Sequence, residues 1–329
     1  MRPQRIPVPV QGVVRFYNFL PAEDTFLDEV LEGLSQPHKA IPPKYFYDER
    51  GSRLFEQICD LPEYYPTRIE MAILREHLAA MVQFIGPEAE LIEFGSGAGI
   101  KTQILVEALR PPLYVPVDID GDMLKKASGE LAQLFGWINI TAICADYSRP
   151  LVLPEFAGVP IRRKAVFFPG STIGNFTPEA ALEFLRRSRA LAGNDGVMLV
   201  GVDLKKDKAQ LDAAYDDAQG ITAQFNLNLL ARINRELGAD FQPQRFAHRA
   251  FYDETKGRIE MHLESLYSQF VRIAGRRFDF APGETIHTEI SCKYTIAEFQ
   301  ALAQQAGFAT EKVWTDAQQM FSVHGLIGI

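Results

Sequence analysis

A glycine-rich turn between an apolar strand and a helix is the clearest chemical feature of this sequence of 329 residues. From Glu93 to Thr102 it reads Glu-Phe-Gly-Ser-Gly-Ala-Gly-Ile-Lys-Thr. Glycines let a backbone turn tightly and approach a ligand, and the following helix N-terminus offers unpaired N–H groups. A phosphate loop and a dinucleotide fingerprint both require glycine where Ile100 stands, which argues against either site. What remains is a Gly-x-Gly-x-Gly spacing after an acidic residue. The alternative that these glycines form a turn without binding a ligand is still open at this point.

The next strand, Tyr114–Val117, ends in the carboxylates Asp118 and Asp120, some twenty residues after the glycine turn. A carboxylate at this position can accept hydrogen bonds from two adjacent ribose hydroxyls. Asp120 also fits the position of a helix-capping residue, so Asp118 is the better candidate for the ribose. A third strand, Ile138–Cys144, is followed by Asp146 and Tyr147.

These residues indicate the chemistry of an adenosyl cofactor. Asp146 can accept a hydrogen bond from the exocyclic amine of adenine, while the Tyr147 ring covers the base. Ligands of doubly wound folds bind beyond the carboxyl ends of the strands, where all these side chains would meet. With the glycine turn, the constellation resembles the cofactor site of class I methyltransferases. A fourth strand leads to Asn175, whose amide can donate to and accept from a zwitterion.

Strands and helices alternate through this part of the chain, which predicts βαβ units and a parallel sheet. Thr177 and Pro178 have the residue types of a helix N-cap and first helical position. The predicted strands are Leu91–Phe94, Tyr114–Val117, Ile138–Cys144, Ala165–Phe168 and Val197–Val202, and the predicted helices are Thr102–Leu109, Asp122–Leu134 and Pro178–Leu191.

The pattern changes after Leu204. Residues 208–237 favour one or two helices, and the alternating segments of residues 246–294 favour an antiparallel sheet. A structureless insertion of this length would be unusual, so we interpret it as a second domain. We expect a doubly wound α/β domain of residues 69–204 and 295–329, and an α+β domain of residues 1–68 and 205–294.

Bulk properties exclude several classes of function. The formal net charge of −8 disfavours a nucleic-acid partner, which would call for a basic patch. No apolar run resembles a signal peptide or approaches the roughly 20 residues that span a bilayer, so we expect no membrane partner. The scattered cysteines, Cys59, Cys144 and Cys292, favour a reducing compartment, and we predict a cytoplasmic protein. Scattered histidines and the absence of Cys-x-x-Cys and His-Glu-x-x-His motifs predict no metal site.

Five further segments carry a resemblance to a known family. They are Pro42–Asp48, Gly51–Phe55, Leu61–Arg68, Gly170–Asn175 and Thr288–Lys293. Together they resemble the ergothioneine-pathway histidine Nα-methyltransferases, and the resemblance runs over nearly the whole chain. It implies S-adenosylmethionine as cofactor and free L-histidine as the small-molecule substrate. It also implies trimethylation of the α-amino group to hercynine, the histidine betaine, by an enzyme with a separate substrate-binding domain. Independently of the resemblance, we expect a monomer.

The resemblance also implies a role for each matching residue. The residues implied for the cofactor are Gly95, Lys101, Asp118, Asp146 and Tyr147. Those implied for the amino-acid head group, and hence for catalysis, are Tyr64, Asn175 and Tyr215. Those implied for the imidazole are Glu289 and Ser291, with Met261 lining the pocket. Glu289 and Ser291 lie two apart on a predicted strand and therefore point to one face.

Three alternatives remain at this stage. A methyltransferase of the same fold can act on another amino acid such as tryptophan, although Glu289 and Met261 argue against the larger indole. A non-catalytic module that binds the cofactor would be expected to lose the acceptor-site residues, which are present here. An NAD-dependent dehydrogenase is disfavoured by Ile100.

Overall fold

The structure is a computed structural model that describes residues 5–7, 13–20, 25–97, 99–157 and 160–329. The α-helices are α1 (Phe26–Ser35), α2 (Glu49–Asp60), α3 (Tyr65–Ile85), α4 (Ile100–Leu109), α5 (Gly121–Leu134), α6 (Pro178–Ala192), α7 (Lys208–Tyr215), α8 (Ile221–Leu237) and α9 (Ile296–Gln305). Short 3₁₀ helices span Pro43–Phe46, Thr172–Asn175 and Pro243–Arg245.

The strands complete the element order. They are β1 (Arg5–Pro7), β2 (Val14–Asn18), β3 (Ala89–Phe94), β4 (Leu113–Asp118), β5 (Asn139–Cys144), β6 (Glu155–Ala157), β7 (Arg163–Phe168), β8 (Val197–Asp203), β9 (Phe246–Asp253), β10 (Arg258–Ser265), β11 (Gln269–Ile273), β12 (Arg276–Phe280), β13 (Thr285–Cys292), β14 (Phe308–Thr315) and β15 (Phe321–Gly328).

The chain divides into two compact units. Unit 1 takes the described residues of Met1–Leu20, Pro66–Leu204 and Tyr294–Ile329, and unit 2 takes those of Pro21–Tyr65 and Lys205–Lys293. Among the described residues, no helix has both the length and the apolar content needed to cross a bilayer.

Unit 1 is built on an eight-stranded sheet in the order β14-β15-β8-β7-β3-β4-β5-β2. The strands from β8 to β2 run parallel, and β15 and β14 add an antiparallel hairpin at one edge. Every residue of β3 and β8 is buried, as expected for parallel strands with helices on both faces. This is the predicted class I methyltransferase fold, a Rossmann-like doubly wound sheet.

The N-terminal strand differs from the prediction that residues 1–68 belong with the insertion. Strand β2 pairs in parallel with β5 and extends the unit 1 sheet. Phe16 packs against the buried side chains of Leu124, Ala142 and Cys144, and pairing satisfies the backbone groups on the open edge of β5. A short segment with one half-buried aromatic packed on the core carries too little apolar pattern to reveal which sheet it joins.

Unit 2 contains an antiparallel sheet in the order β13-β10-β9, as the alternating residues of the insertion predicted. A separate hairpin pairs β11 with β12. The predicted helical stretch of residues 208–237 forms two helices, α7 and α8. Gly220 interrupts them with a left-handed φ of 70°, a conformation that glycine adopts without a steric cost.

Candidate active site

The glycine turn of unit 1 joins the buried strand β3 to helix α4. Gly95, Gly97 and Gly99 have φ values of 69°, 48° and 73°, the region in which a side chain is strained. No described atom lies within 4 Å of the place that a Cβ would take on Gly97 or Gly99. The backbone at these two glycines therefore borders open space beside the N-terminus of α4, which leaves room for an adenosyl cofactor.

Asp118, at the end of β4, braces this turn. Its Oδ2 accepts a hydrogen bond from the Gly97 N–H at 3.0 Å, and its Oδ1 accepts one from the Asp120 N–H at 3.1 Å. Burial raises the pKa of Asp118, partly offset by these bonds. Each carboxylate oxygen retains a further acceptor position, which suits the two hydroxyls of a ribose.

Asp120 has the helix-capping role that its position in the sequence predicted. Its Oδ1 accepts hydrogen bonds from the N–H groups of Asp122 and Met123, so it is the N-cap of α5. The capping interpretation of Asp120 is confirmed.

Asp146 and Tyr147 follow β5, the third strand. The Tyr147 ring packs against Phe94 and Phe168, with ring centroids 5.8 and 6.0 Å apart. Its hydroxyl lies 3.3 Å from the place of a Cβ on Gly95, so the structure brings Tyr147 beside the glycine turn. Asp146 Oδ1 accepts from the backbone N–H and the hydroxyl of Ser148, at 3.0 and 2.5 Å.

A buried carboxylate that the sequence analysis missed holds Lys101. Glu70, with 0% of its surface exposed, pairs with the Lys101 ammonium. Both oxygens of Glu70 also accept from the Gly170 N–H, at 3.0 and 2.8 Å. Glu70 thus connects α3, α4 and the loop after β7. Its spacing of three and four residues from the buried Ile73 and Leu74 was the available signal.

Asn175 ends the 3₁₀ helix that follows β7 in unit 1. Its side chain is half-buried, and among the described residues it has no hydrogen-bond partner. Its amide is therefore available to a ligand as both donor and acceptor.

Unit 2 contains a buried polar cluster of Tyr215, Ser291 and Lys293. The Lys293 ammonium donates to the Tyr215 hydroxyl and to Ser291 Oγ, each at 2.9 Å. The Tyr215 hydroxyl in turn donates to Ser291 Oγ at 2.9 Å. Tyr215 and Ser291 were predicted site residues, whereas the role of Lys293 was missed because nothing local marks a lysine as buried.

The other predicted residues of unit 2 border this cluster. The Tyr64 ring meets the Tyr215 ring edge to face, with centroids 6.0 Å apart, and burial raises the Tyr64 pKa well above its usual value. Met261 on β10 is buried and lies directly opposite Glu289 on β13. Burial raises the pKa of Glu289 to about 7, against the opposing effect of Lys293. Among the described residues, the Glu289 carboxyl has no hydrogen-bond partner.

A β-bulge decides which side chains share a face with Glu289. The pairing of β10 with β13 shifts so that Met261 faces Glu289 and His262 faces His287, which leaves Thr288 as the extra residue. Glu289 and Ser291 therefore lie on one face as predicted, while His287 lies on the other, its ring 5.0 Å from that of His262.

The opposite face brings together His262, His287 and Glu260, whose ligand-type atoms lie within 4.8 Å of one another. The sequence analysis described the histidines as scattered, and the fold gathers two of the six. Glu260 already accepts hydrogen bonds from Lys256 and Arg258. Although burial raises the pKa of Glu260, these bonds lower it to about 2, so two cations already neutralise the one carboxylate of the group.

The predicted residues are therefore gathered into one set in each unit. Unit 1 holds Gly95, Lys101, Asp118, Asp146, Tyr147 and Asn175, and unit 2 holds Tyr64, Tyr215, Met261, Glu289 and Ser291.

The sheet, the glycine turn and the side chains after β4 and β5 define a class I methyltransferase that uses S-adenosylmethionine. The family model for histidine-specific, S-adenosylmethionine-dependent methyltransferases matches residues 26–327, and the chain belongs to this family.

Individual relatives agree with this assignment. A histidine N-alpha-methyltransferase of Mycolicibacterium smegmatis is 40% identical over 308 residues, which cover 91% of this chain and 94% of the relative. A protein of the same name from Mycobacterium tuberculosis is 40% identical over 88% of this chain and 90% of its own. Ergothioneine biosynthesis protein 1 of Schizosaccharomyces pombe is 28% identical over 82% of this chain and 36% of the longer relative.

Proposed function

We propose that this enzyme transfers three methyl groups to the α-amino group of free L-histidine and so forms hercynine, a step of ergothioneine biosynthesis. The observation that carries the proposal is the buried site of unit 2, in which a carboxyl without a described partner and a hydroxyl lie two residues apart on one strand. The names of the relatives from M. smegmatis, M. tuberculosis and S. pombe support the substrate and the pathway.

The cofactor residues of unit 1 have distinct proposed tasks. S-adenosylmethionine supplies a methyl group on a sulfonium, which is already an activated leaving group. Asp118 accepts from the ribose hydroxyls, Asp146 accepts from the adenine amine, and Tyr147 stacks on the base. The Gly95 turn and Lys101 bind the remaining part of the cofactor.

The head group of histidine is assigned to Tyr64, Asn175 and Tyr215. An ammonium has no lone pair, so the amine must lose a proton before each transfer, and three transfers release three protons in all. Burial keeps the Tyr64 phenol neutral, and its oxygen can accept a hydrogen bond from the amine. Such orientation of the amine contributes up to about 7–11 kcal/mol in well-aligned systems.

The imidazole is assigned to Glu289 and Ser291, with Met261 beside it. A site built from buried hydrogen-bonding groups rejects analogues that lack the matching atoms by roughly 10⁴-fold or more. The polar pair thus favours histidine over tryptophan, whose indole offers one N–H and no bare nitrogen.

We also propose that unit 2 is the substrate-binding domain and that the enzyme is a cytoplasmic monomer. Among the described residues, Cys59, Cys144 and Cys292 are not joined in disulfides, which fits a reducing compartment. Light scattering at assay concentration would test the monomer, and a mass of two chains would contradict it.

One assay tests the function itself. The enzyme is incubated with S-adenosylmethionine and the twenty amino acids, and the products are identified by mass spectrometry. We expect histidine to gain three methyl groups on its α-nitrogen. Methylation of tryptophan instead would overturn the substrate, and accumulation of monomethylhistidine alone would overturn trimethylation.

A further inference from the structure

Lys293 is a buried cation at the end of β13 that the proposed roles of the other residues leave unexplained. It is 2% exposed, although lysine is almost never fully buried unless it is paired. Its ammonium lies 4.8 Å from the centroid of the Tyr215 ring and donates to both Tyr215 and Ser291. The desolvation of this charge is costly, so the site retains it for a reason other than packing.

The hydrogen bonds around Ser291 fix the direction in which its hydroxyl points. An ammonium can only donate, so Ser291 Oγ must accept from Lys293. The Tyr215 phenol is more acidic than the Ser291 hydroxyl and is therefore the stronger donor of the pair, so its hydrogen bond to Ser291 Oγ fills the second acceptor position of that oxygen. Among the described residues, no acceptor takes the proton of Ser291, which is 2% exposed. Ser291 is therefore left with one capability toward a ligand, which is to donate.

Glu289, two residues earlier on the same face, has the opposite capability. Burial raises the pKa of Glu289 to about 7 and the positive charge of Lys293 opposes that shift, and once ionised the carboxylate can only accept. The strand therefore presents one acceptor and one donor side by side. A neutral imidazole is complementary to this pair because it has one N–H and one bare nitrogen, whereas an imidazolium has two N–H groups.

We propose that Lys293 is a positioning residue that holds Ser291 as an obligatory hydrogen-bond donor and so makes the site specific for a neutral imidazole. This inference rests on the proposed histidine substrate. Lys293 itself touches no reacting atom and acts through Ser291 and Tyr215.

The first test is a change of specificity in Lys293→Met, which removes the donors while retaining a long apolar stem. The two ligands are L-histidine and β-(2-thienyl)alanine, which has a similar shape and no ring nitrogen. Calorimetric titration in the presence of S-adenosylhomocysteine should show histidine affinity reduced about ten- to a hundredfold, with a much smaller loss for the thienyl analogue, which shares only the head-group contact of Tyr215. Equal losses for both ligands would overturn the proposal, because a structural role would weaken both.

Two controls accompany this variant. Lys208→Met removes an exposed ammonium from α7 by the same exchange and should leave both affinities unchanged. Lys293→Arg retains the charge and the donors and should restore part of the preference for histidine. If Lys293→Arg folds and shows no more preference than Lys293→Met, the positioning role is contradicted.

A double-mutant cycle tests whether Lys293 acts through Ser291. In a Ser291→Ala background, Lys293→Met should cost much less histidine affinity than it does in the wild type, because the group that it positions is gone. Additive losses would overturn the claim.

A measurement on the wild-type enzyme needs no variant. The ¹⁵N NMR spectrum of ring-labelled histidine, bound with S-adenosylhomocysteine, should show one protonated and one bare ring nitrogen at a pH below the imidazole pKa of about 6.5. Two protonated nitrogens would overturn the proposal. Failure of the proposed function would look different, since histidine would then neither bind nor gain methyl groups in the wild-type enzyme.

Discussion

Two carboxyls, one in each unit, have similarly raised pKa values and opposite surroundings: Glu93 is buried and Glu289 is half-buried. Burial raises the pKa of both Glu93 in unit 1 and Glu289 in unit 2 to about 7. Glu93 Oε2 accepts from the Thr102 hydroxyl at 2.6 Å and from the Tyr114 hydroxyl at 2.5 Å. Glu289 has no such partner among the described residues.

A raised pKa does not by itself identify a ligand-binding carboxyl. Burial raises the pKa of Glu93 and of Glu289 to the same value of about 7, although their surroundings differ. The unfilled hydrogen-bonding capacity of the half-buried Glu289 is what distinguishes it, because its carboxyl oxygens are open to a ligand while those of Glu93 already accept from protein hydroxyls. Glu93 instead fastens the strand before the glycine turn to α4 and β4.

The largest effect is expected for Glu289→Gln. It replaces a charged acceptor of the imidazole N–H by a neutral amide, and histidine affinity should fall about a hundredfold. The matched variant Glu93→Gln should leave histidine affinity nearly unchanged and lower the free energy of unfolding by about 1–3 kcal/mol. Calorimetric titration with histidine and with S-adenosylhomocysteine checks both variants. Equal losses of the two ligands in Glu289→Gln would remove the distinction between the carboxyls.

The pH dependence of stability should be alike for the two carboxyls until histidine is added. A carboxyl whose pKa is raised in the folded state contributes stability that is complete below its ordinary pKa of about 4.5 and is lost as the pH rises to about 7. The difference in free energy of unfolding between each Gln variant and the wild type should therefore shift in favour of the variant as the pH rises across this range, as measured in denaturant titrations.

Histidine should abolish this effect at Glu289 alone, because a donated N–H stabilises the carboxylate and returns its pKa toward the ordinary value. A response of Glu93 to histidine of the same size would contradict the assignment.

The smallest effects are expected from substitution of two aspartates, Asp118 at the end of β4 and Asp120 at the N-cap of α5. Asp120→Ala removes a helix cap and should lower the free energy of unfolding by about 1 kcal/mol without changing cofactor affinity. Asp118→Ala should weaken cofactor binding about tenfold or more through the lost ribose bonds. Thermal unfolding and titration with S-adenosylhomocysteine separate the two. Loss of cofactor affinity in Asp120→Ala would show that the capping residue also binds the ribose.

Most residues of the unit 1 site could be predicted from the sequence, because each of them lies directly after a strand that the apolar pattern predicts. Each of its elements is a strand followed at once by the residues that border the cofactor, so Gly95, Asp118 and Tyr147 could be read in order along the chain. Apolar periodicity and turn residues also located the sheet strands to within a few residues. The N-terminal strands β1 and β2 were misplaced, since the strand with which each pairs lies far away in sequence.

The unit 2 site depends on contacts that sequence patterns do not contain. Lys293 and Tyr215 are 78 residues apart, and their hydrogen bond exists only because β13 packs near the end of α7. Glu70 and Gly170 are likewise 100 residues apart. Family resemblance supplied Tyr215 and Ser291, but the buried cation between them became visible only in the folded chain.

The extra residue in β13 has a consequence for how this strand can change. Thr288 is fully enclosed, and its hydroxyl donates to the Met261 carbonyl, so the irregular pairing is held in place. One face of β13 presents the carboxyl of Glu289 and the hydroxyl of Ser291, and the other face presents His287 beside His262 of β10. Regular pairing without the bulge would place His287 and Glu289, which are two residues apart, on the same face of the strand. The separation of the two surfaces therefore depends on the bulge as much as on the side chains.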